Sequence, residues 1–243
     1  MNPLLQALQP VGLWQGKKLI GQMVELEPPA DGPHGVAAPA GGGASERLHL
    51  VVLGDSTAAG YGTDSLVSGL PGRAAELLAE RRGCEVLWQV VGEHGASTRR
   101  VHYRMLNTLS PATDMVVLAV GMNDLIARHT TAEWREQMTA ILDLLDRYPE
   151  VVVLGCPPVA SCPALRRPLT ALLDGQAQRF DEVTRELCAQ HGHHFIEVRD
   201  TQPGPEMFGP DGFHPSGQGY RQWATLVADA LTDGGTGSQS QPG

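Results

Sequence analysis

With 243 residues, 42% of them hydrophobic, and only four cysteines, the chain is long enough for one well-buried domain and does not depend on a disulfide framework. A formal net charge of −9 excludes the basic footprint of a nucleic-acid backbone binder, and the pairs Arg99-Arg100 and Arg166-Arg167 are too small to restore one. No apolar run approaches the ~20 residues of a membrane-spanning helix, and no cationic segment leads into an apolar stretch near Met1, so a cytoplasmic location is the expectation.

Residues 1–46 read as an N-terminal extension and connector. Leu4, Leu5, Leu8, Val11, Leu13 and Trp14 offer enough apolar surface to dock on a main domain, while residues 28–45 are rich in Pro, Gly and Ala and read as a loose link. The first strand-like run, Leu48 to Leu53, stops at Gly54-Asp55-Ser56. If a helix opens there, its dipole favours anionic charge beside Ser56. A second run, Val86 to Val91, leads into Glu93-His94-Gly95, and a third, Met115 to Val120, into Gly121-Met122-Asn123-Asp124. Thr130 to Glu133 then has the form of a capping box, followed by Trp134, Met138, Ile141, Leu142 and Leu145 at helical spacing.

The fourth run, Val151 to Leu154, precedes the longest connection, about Cys156 to Leu169, whose prolines and small apolar residues suit one apolar wall of a ligand pocket. Leu173, Ala177, Phe180, Val183 and Leu187 mark another helix before the fifth run, His194 to Val198. After Asp211-Gly212-Phe213-His214-Pro215, a stripe of Tyr220, Trp223, Val227 and Leu231 marks a last helix, with its aromatics read as core. Residues 233–243 read as a flexible tail, leaving one domain over 47–232. Strands alternating with helices imply βαβ units and a three-layer α/β/α sandwich around a five-stranded parallel sheet of flavodoxin-like topology.

In such a sheet ligands bind beyond the carboxyl ends of the strands, where Ser56, Gly95 and Asn123 all fall. A serine hydroxyl needs a base to become a nucleophile. Among nine histidines His214 stands out because Asp211, three residues earlier, can reach its Nδ1 through one tight turn and leave Nε2 facing outward. The side-chain amide of Asn123 and the unobstructed backbone N–H of Gly95 suit an anion pocket. Ser97 is a rival nucleophile, but Gly95-Ala96-Ser97-Thr98-Arg99 lacks the closing glycine of an α/β-hydrolase elbow.

The order Gly54-Asp55-Ser56, Gly95, Gly121-Met122-Asn123-Asp124 and Asp211-Gly212-Phe213-His214 resembles the SGNH hydrolases, also called the GDSL esterase/lipase family, across about residues 47 to 232. The resemblance implies an acyl-serine mechanism with Ser56, Asp211 and His214 as the catalytic residues. It implies an oxyanion hole built by the Ser56 and Gly95 N–H groups and the Asn123 side chain. One departure is Glu93 where many members have asparagine: a carboxylate there either disfavours negative charge or points away and organises its loop or binds a polar substrate group. His94 adds a second imidazole, with only its neighbour Glu93 as an acidic partner in sequence.

The leading reading is therefore a serine esterase for short to medium acyl esters, needing no cofactor and no metal. Carbohydrate deacetylation, lysophospholipid or thioester hydrolysis and acyl transfer are alternatives within the same fold, and a catalytically silent binding protein is the non-enzymatic one. A dinucleotide-binding reading fails because Gly60-Tyr61-Gly62 lies too far beyond the first strand. Cys84, Cys156, Cys162 and Cys188 read as free thiols, with a Cys156–Cys162 bridge reserved for an oxidising compartment. His191-Gly192-His193-His194 has no acidic or cysteine companion nearby in sequence and reads as a plain entry into the fifth strand.

Overall fold

The computed structural model describes residues 26–42, 46–157, 159–199 and 203–233. The apolar positions of the N-terminal extension before residue 26 and the tail beyond residue 233 lie outside the described residues. Strands β1 (His34–Ala37), β2 (Arg47–Gly54), β3 (Glu85–Gly92), β4 (Met115–Ala119), β5 (Glu150–Leu154) and β6 (His194–Ile196) form one sheet in the order β1-β3-β2-β4-β5-β6. β2 to β6 are mutually parallel, in the 2-1-3-4-5 order of a flavodoxin-like sheet, and β1 adds an antiparallel sixth strand against β3.

β1 corrects both the five-strand expectation and the loose-connector reading of residues 28–45. Its glycine is the reason it docks: a Cβ on Gly35 would stand 2.4 Å from the Trp88 ring, so only glycine lets the strand lie over that side chain. Asp31, just before it, accepts hydrogen bonds from the Ser65 hydroxyl and the Leu66 N–H at 2.8 Å. Four residues of weak strand character thus become a strand through tertiary pairing.

The helices are α1 (Leu70–Arg82), α2 (Met122–Ile126), α3 (Thr131–Leu145), α4 (Leu169–His191) and α5 (Gly217–Asp233), with irregular helical turns over residues 98–108. Period-two alternation sorts the strands between two cores. Leu50, Val52, Met115 and Val117 face α1 and α5, packing with Leu70, Leu78, Tyr220 and Val227. Val51, Leu53, Val116 and Leu118 face α3 and α4, packing with Trp134, Met138, Ile141 and Phe180. The result is a three-layer α/β/α sandwich.

Local chemistry fixes the helix ends. Thr130 and Glu133 form the reciprocal capping box, a device worth about 1 kcal/mol. Trp134 stacks on Phe180 at 4.3 Å between ring centroids and donates its indole N–H to the Thr184 hydroxyl at 3.0 Å, joining α3 to α4 without an unsatisfied polar atom.

Candidate active site

Strand register brings three of the sequence motifs to one edge. Gly54 sits opposite Gly92 on one side and Ala119 on the other, so the chains leaving β2, β3 and β4 emerge side by side. Gly54 has φ +151°, and a Cβ there would lie 1.8 Å from the Ala119 carbonyl oxygen, so the exit toward Ser56 requires glycine. The Asp55 N–H then donates to the Ala119 carbonyl at 3.0 Å. No helix opens after Ser56: residues 56–62 are turns, closed by the Ala59 N–H to the Asp55 carbonyl and the Tyr61 N–H to the Ser56 carbonyl, both at 3.0 Å. The helix dipole expected at Ser56 is therefore absent.

The fourth motif arrives from the far end of the chain. Asp211 Oδ1 accepts the N–H groups of Phe213 and His214, each at 3.0 Å, while its Oδ2 lies 2.6 Å from His214 Nδ1. His214 Nε2 lies 2.9 Å from Ser56 Oγ, closing a continuous Asp–His–Ser chain of hydrogen bonds among buried side chains. Gly212 takes φ +63° inside this turn, and the Cys162 thiol and Ala164 N–H both donate to its carbonyl, at 3.1 and 3.0 Å. The 156–169 connection therefore mainly buttresses the Asp211–His214 turn; of its described residues Pro157 alone lines the cleft.

The cleft is lined by Ser56, Asn123 and His214 on its polar side and by Met122, Pro157, Pro203, Met207, Phe208, Phe213 and Trp223 on its apolar side. Trp223, read as core, is buried to 7% exposure yet contributes to this wall. The apolar surface thus comes chiefly from the segment around His214 and from α5.

Asn123 stands on the first turn of α2. Its amide nitrogen donates to the Ala96 carbonyl at 3.0 Å and leans toward Asp55 Oδ2 at 3.3 Å. Gly95, exposed with φ +77°, is the residue before Ala96 and follows His94, whose ring lies 6.2 Å from that of His214. Among the described residues no protein acceptor takes the N–H of Ser56 or of Gly95.

Glu93 takes the second of its two expected orientations: Arg100 grips both carboxylate oxygens at 2.7–2.8 Å, and the pair is half-exposed. His94 stacks on Tyr61 at 4.8 Å and has no carboxylate partner among the described residues.

Residues 52–222 match the GDSL-like lipase/acylhydrolase family. The chain belongs to that family. It is 27% identical to the GDSL-like esterase Rv1075c of Mycobacterium tuberculosis over 235 residues, which cover 89% of this chain and 73% of that protein. In fold it resembles a lipase/acylhydrolase from Enterococcus faecalis, with a TM-score of 0.55, 24% identity, and coverage of 76% of this chain and 96% of the other. It also resembles TesA, with a TM-score of 0.61, 20% identity, and coverage of 76% and 98%.

In this GDSL-family hydrolase the motif acids carry more structure than sequence assigns them. Asp124 is fully buried, accepts the Thr98 hydroxyl at 2.6 Å and the Thr98 N–H at 3.0 Å, and faces His129 Nδ1 at 2.8 Å. It ties the loop bearing Gly95 to the helix bearing Asn123, a positioning role whose only sequence signal is an acid beside Asn123 at a helix start. Burial pushes the Asp55 carboxyl up to about 6 against the opposing hydrogen bonds from Thr57. Burial acts the same way on Asp211, but hydrogen bonds from the His214 ring and the turn's N–H groups outweigh it and hold that carboxyl below its ordinary value.

All four cysteines are free and buried, and burial raises Cys162 to about 11 and Cys188 to about 12, so none is poised as a thiolate. No helix among the described residues is long and apolar enough to cross a membrane.

Proposed function

We propose that the protein is a serine esterase that hydrolyses carboxylic esters of short to medium acyl chains through an acyl-serine intermediate. The observation that carries this reading is the unbroken alignment of Asp211, His214 and Ser56 at 2.6 and 2.9 Å on the edge of an apolar cleft. Neutral His214 takes the Ser56 proton through Nε2 as Oγ attacks the acyl carbon, while Asp211 holds Nδ1–H and stabilises the imidazolium.

The negative charge that develops on the carbonyl oxygen is met by the Ser56 and Gly95 N–H groups and by the Asn123 amide, which exchanges its long contact with Asp55 for the oxyanion. The protonated His214 then delivers its proton to the departing alcohol. Water then gives a proton to the same nitrogen as its oxygen attacks the acyl carbon, and that proton passes to Oγ as the C–Oγ bond breaks, releasing the acid and restoring the Ser56 hydroxyl. The apolar wall from Met122 to Trp223 receives the acyl chain.

A p-nitrophenyl ester series with wild type and Ser56→Ala, together with labelling by a serine-directed phosphonate, tests the reading. The expected result is turnover peaking at short to medium chains, one label per chain, and loss of both in the variant. Wild-type protein that neither turns over nor labels would instead make this family member a silent binder.

A further inference from the structure

In sequence, His191 and His193 lack an acidic companion; in the fold, α3 supplies one. α4 ends at His191, and Gly192 caps it in the left-handed region at φ +71°. The chain reverses there, with the His193 N–H donating to the Cys188 carbonyl, and the two imidazoles lie side by side with centroids 5.7 Å apart. Asp146, the C-cap of α3, faces both: its Oδ1 is 2.9 Å from His191 Nδ1 and 3.1 Å from His193 Nε2.

A second, independent observation points to a ligand. The His193 side chain is only 8% exposed, yet its Nε2 makes no hydrogen bond despite the nearby carboxylate. A ring nitrogen sealed from water without a well-aligned partner is destabilising, and donation of its lone pair to a cation removes that cost. The other nitrogen of His191, Nε2, faces the Asp143 carboxylate at 3.8 Å, on the side where a metal-bound imidazole commonly meets an acid.

We propose that Asp146, His191 and His193 form a binding site for a borderline divalent transition-metal ion such as Zn²⁺. Their ligand atoms all lie within 4.8 Å of one another, and neighbouring ligands around tetrahedral Zn²⁺ stand ~3.3 Å apart. Two imidazoles and one carboxylate select zinc, nickel or copper over magnesium and calcium. Asp146, with its side chain 48% exposed, leaves the fourth position open to water.

His191 binds through Nδ1 with its proton on Nε2, toward Asp143. The site lies at the amino end of β6, on the opposite sheet edge from Ser56, so the ion staples the end of α3 to the α4–β6 turn and does not enter ester hydrolysis.

The test is equilibrium dialysis of tag-free, EDTA-stripped full chain against Zn²⁺, with thermal unfolding and esterase assays on the same samples. One Zn²⁺ per chain is expected, with a Tm rise of about 5–10 °C at a hundredfold excess over Kd. Asp146→Asn and His191→Gln should each weaken binding by roughly tenfold or more, with hydrolysis changed less than about twofold. Stoichiometric binding that persists unweakened in both variants would place the ion elsewhere and overturn the proposal, as would an absence of binding by wild type. Affinity is read by dialysis in the cold, so a lower Tm in a variant does not obscure the result.

Discussion

At the carboxyl edge of the sheet, Asp211 and His214 are three residues apart, and their pairing is a property of one turn. At the amino edge, Asp146 and His191 are 45 residues apart and meet only because α3 and α4 pack side by side. The first pair is sealed, with side chains 0% and 6% exposed, and offers its free nitrogen to a serine. The second keeps its carboxylate half in water and turns two imidazoles toward it. The same residue types thus serve different chemistry according to what the remaining ring nitrogen faces and how much water reaches the acid.

The largest expected effect separates the two ends directly. Asp211→Asn should lower kcat by about 10³- to 10⁴-fold, because His214 loses the acceptor that fixes its tautomer, whereas Asp146→Asn should leave kcat/KM within about twofold. Steady-state kinetics on one short ester decide this, and equal losses in both variants would erase the distinction. Next in size, Asn123→Ala should cost about 10²-fold in kcat with KM little changed, as expected for a donor used mainly in the transition state. A rise in KM at constant kcat would make Asn123 a substrate-binding residue instead.

The smallest effect is a pH dependence of stability carried by Asp55 on the carboxyl edge. Asp55 titrates at about 6 in the folded protein, above the ordinary 3.8, so its folded-state contribution is favourable below 3.8 and is lost as pH rises through about 6. The Tm of Asp55→Asn relative to wild type should therefore rise between pH 4 and 7, by the equivalent of about 1–3 kcal/mol. Thermal melts across that range would show a pH-independent difference if burial of the charge were not the cause.

Much of the cleft was legible because its determinants are local. An apolar run that ends in Gly54, another that ends before Asn123, and the Asp211–His214 spacing each state a requirement that neighbouring residues meet. What escaped was set by distant partners: β1 forms because Gly35 fits over Trp88, and the 156–169 connection braces the Asp211–His214 turn because Cys162 and Ala164 reach the Gly212 carbonyl. Trp223 follows a helical stripe in sequence, and only the placement of α5 turns part of its face toward the cleft.

The sequence by itself determined the order of the five parallel strands and the main helices between them, their alternating and helical apolar faces, and the residue types at the strand ends, since these follow from backbone propensity and period. The tertiary structure decided what those residues meet. It set the 2.9 Å approach of His214 to Ser56 across 158 residues, the engagement of Glu93 by Arg100, and the gathering of Asp146 with His191 and His193. Contacts of that kind depend on how packed layers align, and burial then fixes which groups hold charge.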